Sequence, residues 1–252
     1  MTEDIFTNEY PVRSYECGPN RKVTILSILN YMQDTAVQHS RDRGFSIETL
    51  IRMGITWVLY RIRLDIHHYP EWNSTVVVNT WPYRLEALYA IREFRLTNPQ
   101  GQLFAHATTQ WVLVDFNKMR PIRIPDEIIK KFPMVQRREI PYEFSHLPKI
   151  RDPIMQNTFT VRWNDLDSNK HVNNTKFVEW CAESIPPDEH LKLEMDSLEI
   201  AFRKEAHYGE HILSSVERVQ NPGNDKTVFL HQIKREHDGI VLAQARTSWR
   251  ER

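Results

Sequence analysis

The chain has 252 residues, and 33 Lys+Arg against 33 Asp+Glu leave a formal net charge of zero. A protein that binds nucleic acid by neutralising phosphates carries a basic excess, so that class is excluded for the molecule as a whole. The 7 Trp, 9 Tyr and 11 Phe exclude a disordered chain, and no run reaches the roughly 18 apolar residues of a membrane span, so no membrane insertion is expected.

Residues 8–18 read as a short extended segment. Ile25, Ile28, Leu29, Met32 and Ala36 then fall at helical spacing, which predicts an amphipathic helix over 25–42 ended near Gly44. Strands follow at 56–66, 75–81, 88–97 and 103–115, the last two joined by the turn residues NPQG (98–101). Residues 118–155 hold six prolines and break the pattern, so they read as a short helix and an extended linker. After it the order restarts: a strand at 157–163, a helix at 172–185 with Val178, Cys181, Ala182 and Ile185 on one face, and strands at 196–206, 211–219, 227–236 and 240–250.

The two halves also repeat at residue level. GQLFAHATTQW (101–111) aligns with GIVLAQARTSW (239–249) at an offset of 138, and NRKVTILSILNY (20–31) with NKHVNNTKFVEW (169–180) at an offset of 149. The expected domains are residues 1–131, a linker at 132–155, and residues 156–252. A long apolar helix followed by antiparallel strands buries its face only if the sheet wraps around it. The expected fold is therefore α+β, a tandem (double) hotdog. It leaves open either a monomer or a homodimer.

The start of the chain, Met1 to Tyr10, has no apolar secretory core and is not rich in Arg and Ser. Cys17 and Cys181 form neither a disulfide framework nor a CxxC pair. Both point to a cytoplasmic protein with free thiols.

The densest polar chemistry is RWNDLDSNKHVNNTKFVEW (162–180), with Asp165, Asp167, Asn169, His171, Asn173 and Asn174 just before the second helix. The first copy has Lys22 in place of His171 and Gly18 in place of Asp167. A helix start needs one capping side chain, not six polar ones. The amides of Val172 and Asn173, at the predicted helix start, are candidate oxyanion donors.

WNDLDSNKHVNN (163–174) resembles the W-x-D-L-D-x-N-x-H-V-N-N signature of the acyl-acyl carrier protein thioesterases, which release fatty acids in plastids and bacteria. SYECGPNRKVTILSILNYMQDTAVQH (14–39), WVLYRIRLDIHHYPEW (57–72) and RPIRIPDEI (120–128) extend the likeness over nearly the whole chain. The resemblance implies catalytic roles for Asp167, Asn169, His171 and Glu205, the last in FRKEA (202–206). Where the family has Cys after that Glu, this chain has Ala206, which argues against a cysteine nucleophile. It also implies acyl carrier protein as partner; no cofactor and no metal are expected.

Thioester hydrolysis suits such a set. The leaving thiolate needs little acid assistance, so the tasks are to activate water and to stabilise the oxyanion. Either Glu205 or Asp167 is the base, His171 relays the proton, and Asn169 orients water or the oxyanion. The family layout places the acyl chain in the first copy, with Leu29, Met32, Trp57, Leu59 and Tyr60 as candidate liners, each of which fits plain core better. Arg120, Arg123, Lys130, Lys131, Arg137 and Arg138 form a local basic stretch, either a solvated face or a docking patch for an acidic carrier. HYGEH (207–211) matches an H-x-x-E-H zinc pattern, but Tyr208-Gly209 reads as a turn, where that motif needs a helix. Acyl-coenzyme A hydrolysis, a hydratase acting on enoyl or 3-hydroxyacyl thioesters, and a non-catalytic acyl-binding protein remain as alternatives.

Overall fold

The computed structural model describes residues 4–118, 120–141, 143–167, 169–219 and 226–252. It divides into two compact units, Met1–Glu143 and Phe144–Arg252.

In the first unit, β1 (Phe6–Pro11) leads through a 3-10 turn to α1 (Ile25–Asp42). Thr24 caps α1, its side chain accepting from the Ser27 N–H, and the first helical residue follows at once. The α1 bounds match the sequence periodicity, and its buried face includes Ile28, Leu29, Met32 and Ala36. A short α2 (Ile47–Arg52), capped by Ser46, has too few turns for periodicity to reveal. Then come β2 (Ile55–Ile66), β3 (Thr75–Glu86), β4 (Tyr89–Thr97) and β5 (Leu103–Asp115). They pair antiparallel in the order β1-β3-β4-β5-β2. Helix α1 packs on β3 and β1. A two-residue β6 (Arg120–Pro121) pairs β5, and α3 (Asp126–Ile129) follows. Ile124, Ile128 and Phe132 close a core cluster with Leu50, Ile55, Leu85 and Leu113.

The first part of the expected linker, from residue 132, packs on this unit. The Val135 N–H donates to Pro82 at 2.9 Å, and the Trp81 indole donates to the Arg137 carbonyl at 2.8 Å. Glu93, wholly buried, accepts from the Glu139 N–H at 3.1 Å and the Thr108 hydroxyl at 2.8 Å. The division between the two units falls after Glu143, inside the segment expected as the linker. Long-range hydrogen bonds of this kind leave no periodicity in the sequence.

The second unit repeats the plan. It runs β7 (Met155–Thr160), a 3-10 turn at Trp163–Asp165, α4 (Asn174–Glu183), α5 (Pro187–Lys192), β8 (Leu193–Phe202), β9 (His211–Val219), β10 (Thr227–Arg235) and β11 (Val241–Glu251). The pairing order is β8-β11-β10-β9-β7. Helix α4 packs on β10 and β9 and buries Phe177, Val178, Trp180 and Cys181. The duplication extends to single hydrogen bonds. Trp111 donates to the Thr109 hydroxyl at 2.9 Å, and Trp249 donates to the Thr247 hydroxyl at 2.8 Å. Both pairs stand at the offset of 138 read from the sequence.

Candidate active site

The polar cluster begins with an anchor. Asp165, buried, accepts from the Arg162 backbone N–H at 2.8 Å and from its guanidinium at 3.0 and 3.2 Å. Burial opposes its ionisation, but the Arg162 hydrogen bonds and the nearby Lys176 ammonium outweigh that and hold the carboxyl below its ordinary range. This closes the 3-10 turn and aims the chain into the loop that follows.

Asp167 organises that loop. Its Oδ1 accepts from the Asn169 N–H at 2.8 Å and the His171 N–H at 3.2 Å. Its own N–H donates to the His171 carbonyl at 2.7 Å, and Lys170 takes the left-handed conformation, φ 63°, needed to turn the chain back. Helix α4 then starts at Asn174, two residues later than its periodicity suggested, because Val172 still bridges to Leu166 and Asn173 is the cap.

The first unit builds the same loop without the chemistry. The Gly18 N–H donates to the Lys22 carbonyl at 2.9 Å, Arg21 has φ 62°, and Cys17 bridges Val23. Val23 donates to Pro70 at 2.8 Å, as Val172 donates to Ala206 at 3.0 Å. The residue before Pro70 is Tyr69, and the residue before Ala206 is Glu205. Three of the positions that differ between the copies gain an acid or an imidazole: Gly18 to Asp167, Lys22 to His171, and Tyr69 to Glu205.

The Val172–Ala206 bond clamps the segment after β8 against the loop, and this brings Glu205 to His171. The ligand-type atoms of His171, Glu205 and His207 all lie within 4.8 Å of one another. The rings of His171 and His207 meet edge to face, with centroids 5.2 Å apart. His171 is half-buried, while Glu205 and His207 are exposed. Arg235 fixes the Glu205 backbone by donating to its carbonyl at 3.2 Å, leaving the carboxylate uncommitted among the described residues. His207 was missed as a site residue. Its sequence context, HYGEH, pointed to Glu210 and His211 instead, yet that stretch forms the turn between β8 and β9, with Gly209 at φ 80°.

One expectation is overturned. The amides of Val172 and Asn173 are not free for an oxyanion, since they donate to Ala206 and to Asp165 at 3.0 and 2.8 Å. The loop closes on itself before the helix begins and consumes them. Thr175 and Lys176 donate to the Asn173 cap. Among the described residues, Asn174 carries the unengaged amide at this helix start.

Of the candidate acyl liners, Leu29, Met32 and Leu59 are buried. Trp57 packs against the core cluster, and Tyr60 stacks with Tyr89 at 6.3 Å, so both are half-buried. Arg120, Arg123, Lys130 and Lys131 are exposed. Arg137 and Arg138 are engaged within their own unit. Arg137 lies 4.2 Å over the Trp81 ring, and Arg138 lies 3.7 Å from buried Glu93 and 5.1 Å over Tyr83. Cys181 is 1% exposed on α4, and burial pushes its thiol well up.

The acyl-ACP thioesterase N-terminal domain matches residues 3–132, and the acyl-ACP thioesterase C-terminal domain matches residues 149–251. A chloroplastic acyl-[acyl-carrier-protein] hydrolase of Cuphea viscosissima is 29% identical, covering 98% of this chain and 63% of its own length. A chloroplastic oleoyl-acyl carrier protein thioesterase of Arabidopsis thaliana is 27% identical, covering all of this chain and 79% of its own. The chain thus spans under two thirds of the Cuphea relative. The solved 12:0-ACP thioesterase of Umbellularia californica matches with a TM-score of 0.87 at 28% identity, covering 98% of this chain and 94% of that one. An acyl-ACP thioesterase from Bacteroides thetaiotaomicron shares the fold, with a TM-score of 0.84 at 22% identity over 98% of both chains. With both domains matched and each unit built as a helix on an antiparallel sheet, the chain belongs to the acyl-ACP thioesterase family and has its double hotdog fold.

Proposed function

We propose that this protein hydrolyses the thioester of fatty acyl-acyl carrier protein and releases the free fatty acid. The observation that carries the reading is the convergence of Glu205 and His171 in the second unit, at positions that hold Tyr69 and Lys22 in the first.

Glu205 is the base. Its carboxylate is exposed and uncommitted, whereas Asp167 Oδ1 is occupied by two backbone N–H groups. Glu205 takes a proton from water as the oxygen attacks the thioester carbonyl, and His171 relays that proton to the departing sulfur. Water is thereby divided between the fatty acid and the released thiol. Asp167 positions Asn169 and His171 through their backbone. With the Val172 and Asn173 amides consumed, the oxyanion falls to the Asn169 side chain and the Asn174 N–H. The two unpaired cysteines support a reducing compartment such as the cytoplasm.

The test is a thiol-release assay with acyl-carrier protein and acyl-coenzyme A in competition. Preferential turnover of the carrier-bound substrate is expected. Turnover of coenzyme A thioesters alone would make the protein an acyl-coenzyme A hydrolase. Conversion of an enoyl thioester with no thiol released would make it a hydratase.

A further inference from the structure

We propose that His171, Glu205 and His207 form a binding site for a divalent zinc-type cation, and that the cation inhibits the enzyme by occupying its catalytic groups. The inhibition half of this rests on the functional reading above; the binding half does not.

Two imidazoles and one carboxylate are a known zinc donor set. In this structure their donor atoms already gather within 4.8 Å. Ligands about 2.0–2.1 Å from a tetrahedral zinc ion sit about 3.3 Å from one another, so closure asks for about 1.5 Å of movement. Glu205 and His207 are exposed and can supply it by side-chain rotation. The backbones that carry them are held in place. Val172 donates to Ala206, Asp167 Oδ1 accepts from the His171 N–H, Arg235 donates to the Glu205 carbonyl, and the Glu210 carboxylate accepts from the His207 N–H at 3.0 Å. The two rings meet edge to face, and neither makes a hydrogen bond to another described residue. Three protein ligands leave a fourth tetrahedral position open.

The same cluster explains why a cation would inhibit. Glu205 bound to zinc loses its availability as a base, and His171 bound through its ring nitrogen loses its relay role. His207 is what turns a catalytic pair into a three-ligand site. The first unit has Lys22 and Tyr69 at the corresponding catalytic positions and offers no such set. The zinc pattern HYGEH is thus misleading in its own terms, since its His207 joins His171 and Glu205 rather than Glu210 and His211.

The experiment is isothermal titration of the untagged full chain with zinc chloride, for wild type, His207→Ala, Glu205→Gln and a Tyr208→Ala control. One zinc per chain at micromolar affinity is expected, weakened at least 30-fold by His207→Ala and by Glu205→Gln and unchanged by Tyr208→Ala. Absence of binding up to millimolar zinc would overturn the proposal, as would binding indifferent to His207→Ala. Inhibition is read as free fatty acid formed, because released thiol itself binds zinc. The zinc concentration for half-inhibition should rise at least 30-fold in His207→Ala relative to wild type. If zinc binds as expected but no acyl thioester is hydrolysed by the wild type, the functional reading fails and the cation site stands.

Discussion

Lys22 and His171 hold the same place in the two units. The carbonyl of Lys22 accepts from Gly18 at 2.9 Å, and the carbonyl of His171 accepts from Asp167 at 2.7 Å. The residue before each is in the left-handed conformation. One loop geometry therefore serves twice, and only the second use carries an imidazole with an acid to meet it.

Asp167 should behave as a positioning residue. Asn can accept the same two backbone N–H bonds in this kind of turn. Asp167→Asn is expected to retain activity within about tenfold, whereas Asp167→Ala loses about a hundredfold. Steady-state kinetics of the two variants decide this. Equal, severe losses in both would restore the carboxylate charge of Asp167 as an alternative base.

Thiol reagents should leave activity intact. Cys181 is buried and its thiol is pushed well up by desolvation, so little thiolate forms at neutral pH. Burial and the Glu16 charge also raise Cys17, which lies in the first unit. Iodoacetamide treatment followed by the thioesterase assay is expected to show no loss. Rapid inactivation matching modification of one cysteine would contradict it.

Stability should fall steeply in mild acid. His39 and His231 are buried in different units, and both are depressed to about 3. Burial is the main cause, joined for His39 by the charges of Arg92 and Arg43. A histidine depressed in the folded state contributes stability that is complete above its unfolded value of about 6.5 and is lost as pH falls toward 3. At pH 5 each should cost about 2 kcal/mol relative to pH 7. Denaturant melts at the two pH values measure it. His231→Gln should remove about half of the difference, and an unchanged difference would show that His231 is not the source.

The basic stretch should split in two. Arg138→Ala leaves buried Glu93 with less compensation and should destabilise the first unit by about 2 kcal/mol, below the value for a fully buried pair because Arg138 keeps some exposure. Lys130→Glu with Lys131→Glu should leave the melt unchanged and raise KM for the acyl-carrier substrate. An unchanged KM would return those lysines to a plain solvated face.

Much of this was legible in the sequence, for definite reasons. Helix α1 was readable because its 18 residues show helical spacing and end before Gly44. The repeat was readable because Thr109-x-Trp111 and Thr247-x-Trp249 keep both residues of the same hydrogen bond. The start of α4 was misjudged because His171 and Val172 look helical in sequence, while their hydrogen bonds run to Asp167 and to Ala206. That same long-range bond was the reason the Val172 amide could not be foreseen as occupied. The packing of the first part of the linker was not legible because Glu93 and Trp81, which bind it, are far away in sequence. His207 escaped notice because His171, which it meets, lies on a different loop.

The central claim, that Glu205 with His171 hydrolyses an acyl-carrier thioester, is tested most directly by thiol release from acyl-carrier protein with wild type and Glu205→Gln. Glu205 is exposed, so the substitution should leave the melt unchanged. Wild type is expected to release thiol, and Glu205→Gln to do so at least about a hundredfold more slowly. Wild-type turnover in Glu205→Gln would contradict the account.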